Sequence, residues 1–295
     1  MVYKLIQYML LLSVGFSAWI QNPSPVLVRP FDAKSSALGG INSFENSEQS
    51  SVQFSYSVSK DNILEENSIV FDTENKSYYL SYFGVSNLDN TIDAWSEEDD
   101  DDGMPSSDEI DYTRITSFSY RSISFTYPVQ ISTSKLEIWP TFSFTSLYEE
   151  SAYSAGFSIS KKMHYKNTKF LLFIHDAISS KRWSTNRKEV YQPFLELIVN
   201  SKFKNTTIFL DGILNSSEFN SNIGVSFNIH ENLNLRGGYA GNDGFTLGAG
   251  VKLNFIELDI AVLPSDSLHP FKPTQQFTVK LLVEKVLSAS KRLSP

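Results

Sequence analysis

The chain of 295 residues contains no cysteine. A disulfide framework, a Cys-ligated zinc site and a thiol nucleophile are therefore excluded. Histidine is scarce: His164, His175, His230 and His269 are scattered, with no i,i+4 pair and no H-E-x-x-H, so no metal site is expected. Beyond the N-terminus no apolar run is long enough to cross a bilayer as a helix. If the chain spans a membrane, it does so with strands. No basic face is present, which argues against a nucleic-acid partner. Serine is abundant, but none sits in a G-x-S-x-G elbow. Gly237, Gly238, Gly241 and Gly244 precede an alternating strand, whereas a phosphate loop needs a following helix. The sequence thus carries no expectation of an enzyme or of a cofactor.

What is present begins with a composition that is 41% hydrophobic, which excludes wholesale disorder. Residues 1–17 read as a secretory signal peptide. Lys4 supplies the positive end, Leu5 to Val14 is mostly apolar, and Gly15 and Ser17 are small residues before a cut after Ser17. The alternative is an N-terminal membrane anchor, for which this stretch is short. The net charge of −8 has a local source: residues 96–111 hold nine acidic and no basic residues. Without that run and the signal peptide, 24 basic residues balance 24 acidic ones.

Residues 18–50 are irregular, with Pro23, Pro25 and Pro30 ahead of Ala33–Gly40. From residue 51 apolar and polar residues alternate. Val52, Phe54, Tyr56 and Val58 do so, as do Ile123 to Tyr127, Leu136 to Phe144, Tyr153 to Ile159 and Leu195 to Val199. Ile223 to Ile229, Leu233 to Tyr239, Phe245 to Leu253, Ile256 to Val262 and Phe277 to Val283 complete the series. Period-two alternation means strands with one apolar and one polar face. Their length, and 36 Phe and Tyr residues often near strand ends, predict an all-β transmembrane antiparallel barrel of about 12–14 strands over residues 51–284. A tail follows at 285–295. The polar parity carries Ser, Thr, Asn and Gly rather than Lys and Glu, as a lumen would. Gly248 and Gly250 fall on it, leaving room for a packed lumen or a close backbone approach. A soluble β-sandwich is the alternative.

Turn lengths give an orientation. With the turn at Asn254 periplasmic, alternation places 177–190, the segment 86–113 and Pro264–Pro273 outside. Two of these loops supply candidate contact residues: the acidic Glu97, Glu98, Asp99, Asp100, Asp101 and Asp102, and the basic Lys181, Arg182, Arg187 and Lys188. The acidic run reads as a solvated loop; carboxylates could bind calcium, but it lacks the spaced pattern of a preorganised site. The basic group reads as a surface loop, or as a contact for lipopolysaccharide phosphates or for the acidic run.

Leu233–Val251 (LNLRGGYAGNDGFTLGAGV), Leu258–Leu263 (LDIAVL), Pro264–Leu268 and a final Phe277–Val283 strand resemble the C-terminal hairpins of the PorV/PorQ-like outer-membrane proteins. Asp32–Ala37 with Leu38-Gly39-Gly40 resembles that family's "A-R-S-x-A-M-G-G" entry. The family is similar in fold to the fatty-acid transporter FadL, whose barrel has fourteen strands. The resemblance implies an outer-membrane location among lipid and lipopolysaccharide, and a non-enzymatic role. That role is support of protein secretion or surface attachment, with secretion-system or exported proteins as partners. The alternatives are a FadL-like channel for hydrophobic small molecules and a structural outer-membrane protein. Where the family continues with W-N-P-A-G, this chain has Ser43–Ser51 (SFENSEQSS), which argues against a FadL-like plug. Lys34 stands for the common Arg, and no aromatic residue ends the chain.

Overall fold

A computed structural model describes Leu27, 29–42, Phe44, 49–59, 63–74, 76–90, Ala94, 111–131, 136–215, 218–241, 244–263 and 273–286. The expected signal peptide, the acidic run 97–102 and the tail beyond residue 286 lie outside these residues. Among the described residues sixteen strands are present: β1 Ser51–Ser59, β2 Leu64–Asp72, β3 Ser77–Asn90, β4 Thr116–Thr126, β5 Val129–Ile131, β6 Leu136–Leu147, β7 Glu150–Tyr165 and β8 Thr168–Trp183 lead, followed by β9 Lys188–Val190, β10 Phe194–Phe203, β11 Thr206–Leu214, β12 Phe219–His230, β13 Leu233–Ala240, β14 Gly244–Lys252, β15 Ile256–Val262 and β16 Pro273–Leu282. Each long strand pairs antiparallel with the next; β16 pairs with β1, and β8 pairs with β10. Fourteen strands thereby close one ring, while the short β5 and β9 only fringe β6 and β8. One closed sheet replaces the two packed sheets of a sandwich.

The alternation sets the facing. On β1, Ser51, Gln53, Ser55 and Ser57 are buried inside, while Phe54 and Tyr56 are exposed outside. Register carries this around the ring: Phe54 lies opposite Val279 and Ile69, and Ser55 lies opposite Thr278 and Ser68. Phe142, Val225, Leu247, Leu258 and Phe277 continue the exposed apolar exterior. Buried hydroxyls and exposed aliphatic and aromatic side chains invert the pattern of a water-soluble fold. They suit a wall in hydrocarbon, where closure satisfies every ladder group. Aromatic residues gather at both rims: Tyr239 packs on Phe245 at 5.1 Å and Phe144 on Tyr153 at 5.2 Å towards one, and Tyr78 stacks on Tyr127 at 6.0 Å at the other. Strand directions put the long connections 91–115 and 263–272 at one end and the tight turns 166–167, 204–205 and 231–232 at the other. Residue 51 and residue 282 also lie at the short-turn end.

Candidate functional site

The lumen is filled by the chain's own N-terminal segment. Helix α1, Ala33–Ala37, starts at Asp32, whose carboxylate accepts from Ser35 N at 2.6 Å and from Gln53 Nε2 at 3.1 Å. It ends in Gly39 and Gly40, both with positive φ, 78° and 86°, a conformation glycine adopts without strain. Ala33 N donates to Thr278 Oγ1 at 2.8 Å, and Ser36 hydrogen-bonds Gln276. Thr246 Oγ1 accepts from Gly39 N at 3.1 Å and donates to Ala37 O at 3.0 Å. The backbone lies so close to the wall that a Cβ on Gly224 would sit 2.7 Å from Leu38 O, and one on Gly238 would sit 2.2 Å from Gly39 N. On Gly248 it would sit 2.5 Å from Ala37 Cβ. Of the small residues expected on the polar parity, Gly248 joins Gly224 and Gly238 in a cradle for the plug, while Gly250 faces Asp259 and Arg236. The plug that the departure at Ser43–Ser51 put in doubt is present: Ala33–Gly40 docks on the glycine and hydroxyl wall, and Phe44, from within the departing stretch, adds an aromatic contact.

Behind α1 the segment completes an aromatic core. Phe44 meets Phe173 at 5.1 Å, Trp139 at 5.4 Å and Tyr79 at 6.2 Å, and Phe31 packs on Tyr79 at 4.7 Å. Leu27, Leu38 and Ile41 join them, with Val70, Leu171, Ile198 and Phe209 from the wall. Asn42 ties the strap together: its Nδ2 donates to Leu27 O at 3.1 Å and Arg29 O at 2.7 Å, and its Oδ1 accepts from Phe31 N at 3.1 Å.

The plug leaves a chamber on each side. At the short-turn end about 400 Å³ is bounded by charged pairs: Arg236 with Asp259, Lys252 with Glu257 at 2.8 Å and Lys280 with Asp72 at 3.4 Å. At the long-loop end a vestibule of about 100 Å³ is floored by Leu27, Arg29 and Phe31. Hydroxyls dominate its wall: Ser122, Ser124, Thr141, Ser143, Thr145, Ser154, Ser158 and Ser179 all reach it. Arg29 lies over the Phe83 ring at 3.6 Å and pairs with Glu66 at 3.5 Å. Tyr191 lines the vestibule as a neutral phenol, its pKa pushed up by burial. Beside it, His175 is stacked between Phe173 and Phe194 at 4.9 and 4.6 Å and meets Glu196 Oε2 at 2.5 Å. Among the described residues no cluster of His, Asp and Glu fit to hold a metal ion is found.

The basic group divides. β8 runs to Trp183, so Lys181 and Arg182 are strand residues rather than loop residues. Lys181 faces the lumen and lines the vestibule; Arg182 faces outwards beside Phe144 and Tyr153. Arg182 lies opposite Lys188 of β9, and the exposed Arg187 pairs with Glu189 at 3.0 Å. The acidic run Glu97–Asp102 lies outside the described residues. Sequence reasoning missed Arg29, Asn42, Glu66 and Phe44. The available signal was the run of small residues on the polar parity of three successive strands, Gly224, Gly238 and Gly248.

No protein-family model and no curated protein matches the chain. Among solved structures it is similar to the toluene transporter TodX of Pseudomonas putida, with 11% identity and a TM-score of 0.49 over 86% of this chain and 96% of that one. It is similar also to the toluene transporter TbuX of Ralstonia pickettii, with 11% identity and a TM-score of 0.46 over 86% and 97%. CdiB from Acinetobacter baumannii matches at 10% identity and a TM-score of 0.33 over 79% and 59%.

Proposed function

We propose that the protein is an outer-membrane uptake barrel, exported behind its N-terminal signal peptide and working in the manner of a FadL-like channel. Small molecules enter the vestibule from the long-loop side, which faces the exterior, and pass the N-terminal plug towards the periplasm. The observation that supports this reading is the combination of an apolar outer wall with a lumen that is divided rather than solid: two chambers stand on either side of one short segment. A structural barrel has no need of either chamber. The secretion or attachment role implied by the PorV/PorQ resemblance draws less support, since it gives no use to the two chambers inside the lumen. Membrane fractionation and heat-modifiable gel migration test the location. Flux tests the role: in liposomes, protein lacking residues 27–44 should pass glycerol-sized solutes several-fold faster than the full chain. Equal flux from both would overturn the gated-channel reading.

A further inference from the structure

Lys181 is buried in the wall of the vestibule, only 7% exposed. Its ammonium lies 4.7 Å from the Trp183 ring centroid and 5.8 Å from that of Tyr120. Among the described residues it has no hydrogen bond and no ion pair. Five other lumen cations behave differently: Arg29, Lys162, Arg236, Lys252 and Lys280 each have a carboxylate partner. A buried ammonium with no direct ion pair is costly, and ring faces offset only part of that cost; the carboxylate across from it on β9, that of Glu189, is taken up by Trp183 Nε1 at 2.9 Å and by Arg187 at 3.0 Å. Register sets hydroxyls around the ammonium. Ser154 lies directly across from Lys181, Ser143 lies across from Ser154, and Ser179 is the next inward residue on β8. All of them line the vestibule.

We propose that this site binds a small hydroxylated organic anion, its carboxylate on Lys181 and its hydroxyls on the Ser and Thr wall. The inference rests on the uptake reading and names its cargo class. A pure hydrocarbon fits poorly, because it would strip water from hydroxyls and offer them nothing in return.

Calorimetric titration of the full chain in detergent tests the proposal with three matched three-carbon probes. Glycerate carries both charge and hydroxyls, glycerol lacks the charge, and propionate lacks the hydroxyls. Glycerate should bind at least about tenfold tighter than either of the others. Lys181→Met should remove about tenfold or more of that affinity while heat-modifiable migration is kept, and Lys181→Arg should retain most of it. Replacing Glu97–Asp102 with Gln and Asn should leave binding unchanged. Propionate binding as tightly as glycerate overturns the proposal, and so does glycerate binding that is indifferent to Lys181→Met. Glycerate binding that emerges only after the acidic run is neutralised also overturns it, since Lys181 would then serve that run. Binding without liposome flux would sink the uptake reading and leave the site standing; flux without binding would do the reverse.

Discussion

Gly238 has no room for a side chain, because a Cβ there would lie 2.2 Å from the nitrogen of Gly39. Gly237, its neighbour on the outer face, would meet nothing closer than Leu247 Cδ2 at 3.5 Å. Gly238→Ala should therefore weaken plug docking by about 1–3 kcal/mol, with faster amide exchange at Gly39, while Gly237→Ala leaves exchange there unchanged. A docking strength equal in the two variants would disprove the cradle. His175 makes a second residue-scale case. Its Nε2 meets Glu196, and its Nδ1 has no partner within the described structure. Glu196→Leu leaves the ring with neither nitrogen paired and should cost about 1–3 kcal/mol, read from urea unfolding in detergent. Gly248 was legible because parity alone says which face it shares with its neighbours; Gly224 and Gly238 lie on the same parity but were not singled out. Lys181 was not legible in this way: its surroundings, K-R-W-S-T-N-R-K, have a loop's composition, and only the pairing of β7 with β8 shows the strand continuing to Trp183.

Ten of the fourteen ring strands were legible as alternation; β2, β3, β8 and β11 were not. The reason lies in the plug. Val70 of β2, Tyr79 of β3, Leu171 and Phe173 of β8 and Phe209 of β11 point inwards onto Phe31, Phe44 and their neighbours. On β3, β8 and β11 these inward residues leave apolar side chains on both parities, and period two disappears there; on β2 it is broken by Glu65 and Asn67 on the outward parity as well. Strands β12 to β16 face glycine and hydroxyl contacts with α1 instead, so their alternation stays clean. The same division says where the plug is held most firmly. Phe44 contributes the ring that joins Tyr79, Trp139 and Phe173, and its removal leaves a void among rings already placed by the wall. Phe44→Ala should cost the plug about 3–5 kcal/mol and raise liposome flux, with the barrel still heat-modifiable. Unchanged flux would mean that α1 alone holds the plug.

At the scale of the whole molecule, the barrel depends on hydrocarbon outside and polar contacts inside. Adjacent residues on β4 separate the two. Ile123 is exposed on the outer face near mid-strand, and Ser122 lines the vestibule, with its hydroxyl 3.3 Å from Thr145 Oγ1. An arginine on the lipid face near the bilayer midplane costs about 2–4 kcal/mol, because the charge must leave water. In the vestibule the same side chain can reach the long-loop mouth and stay hydrated. Ile123→Arg should lower the unfolding free energy of the lipid-embedded protein, read from urea titration, by that amount, whereas Ser122→Arg should change it by well under 1 kcal/mol and narrow the vestibule instead. A barrel standing in water would give the opposite order, since an exposed isoleucine replaced by arginine improves hydration while a half-buried, inward-facing serine replaced by it does not. The sign of the difference between two neighbouring positions therefore decides which solvent the outer wall was selected to face.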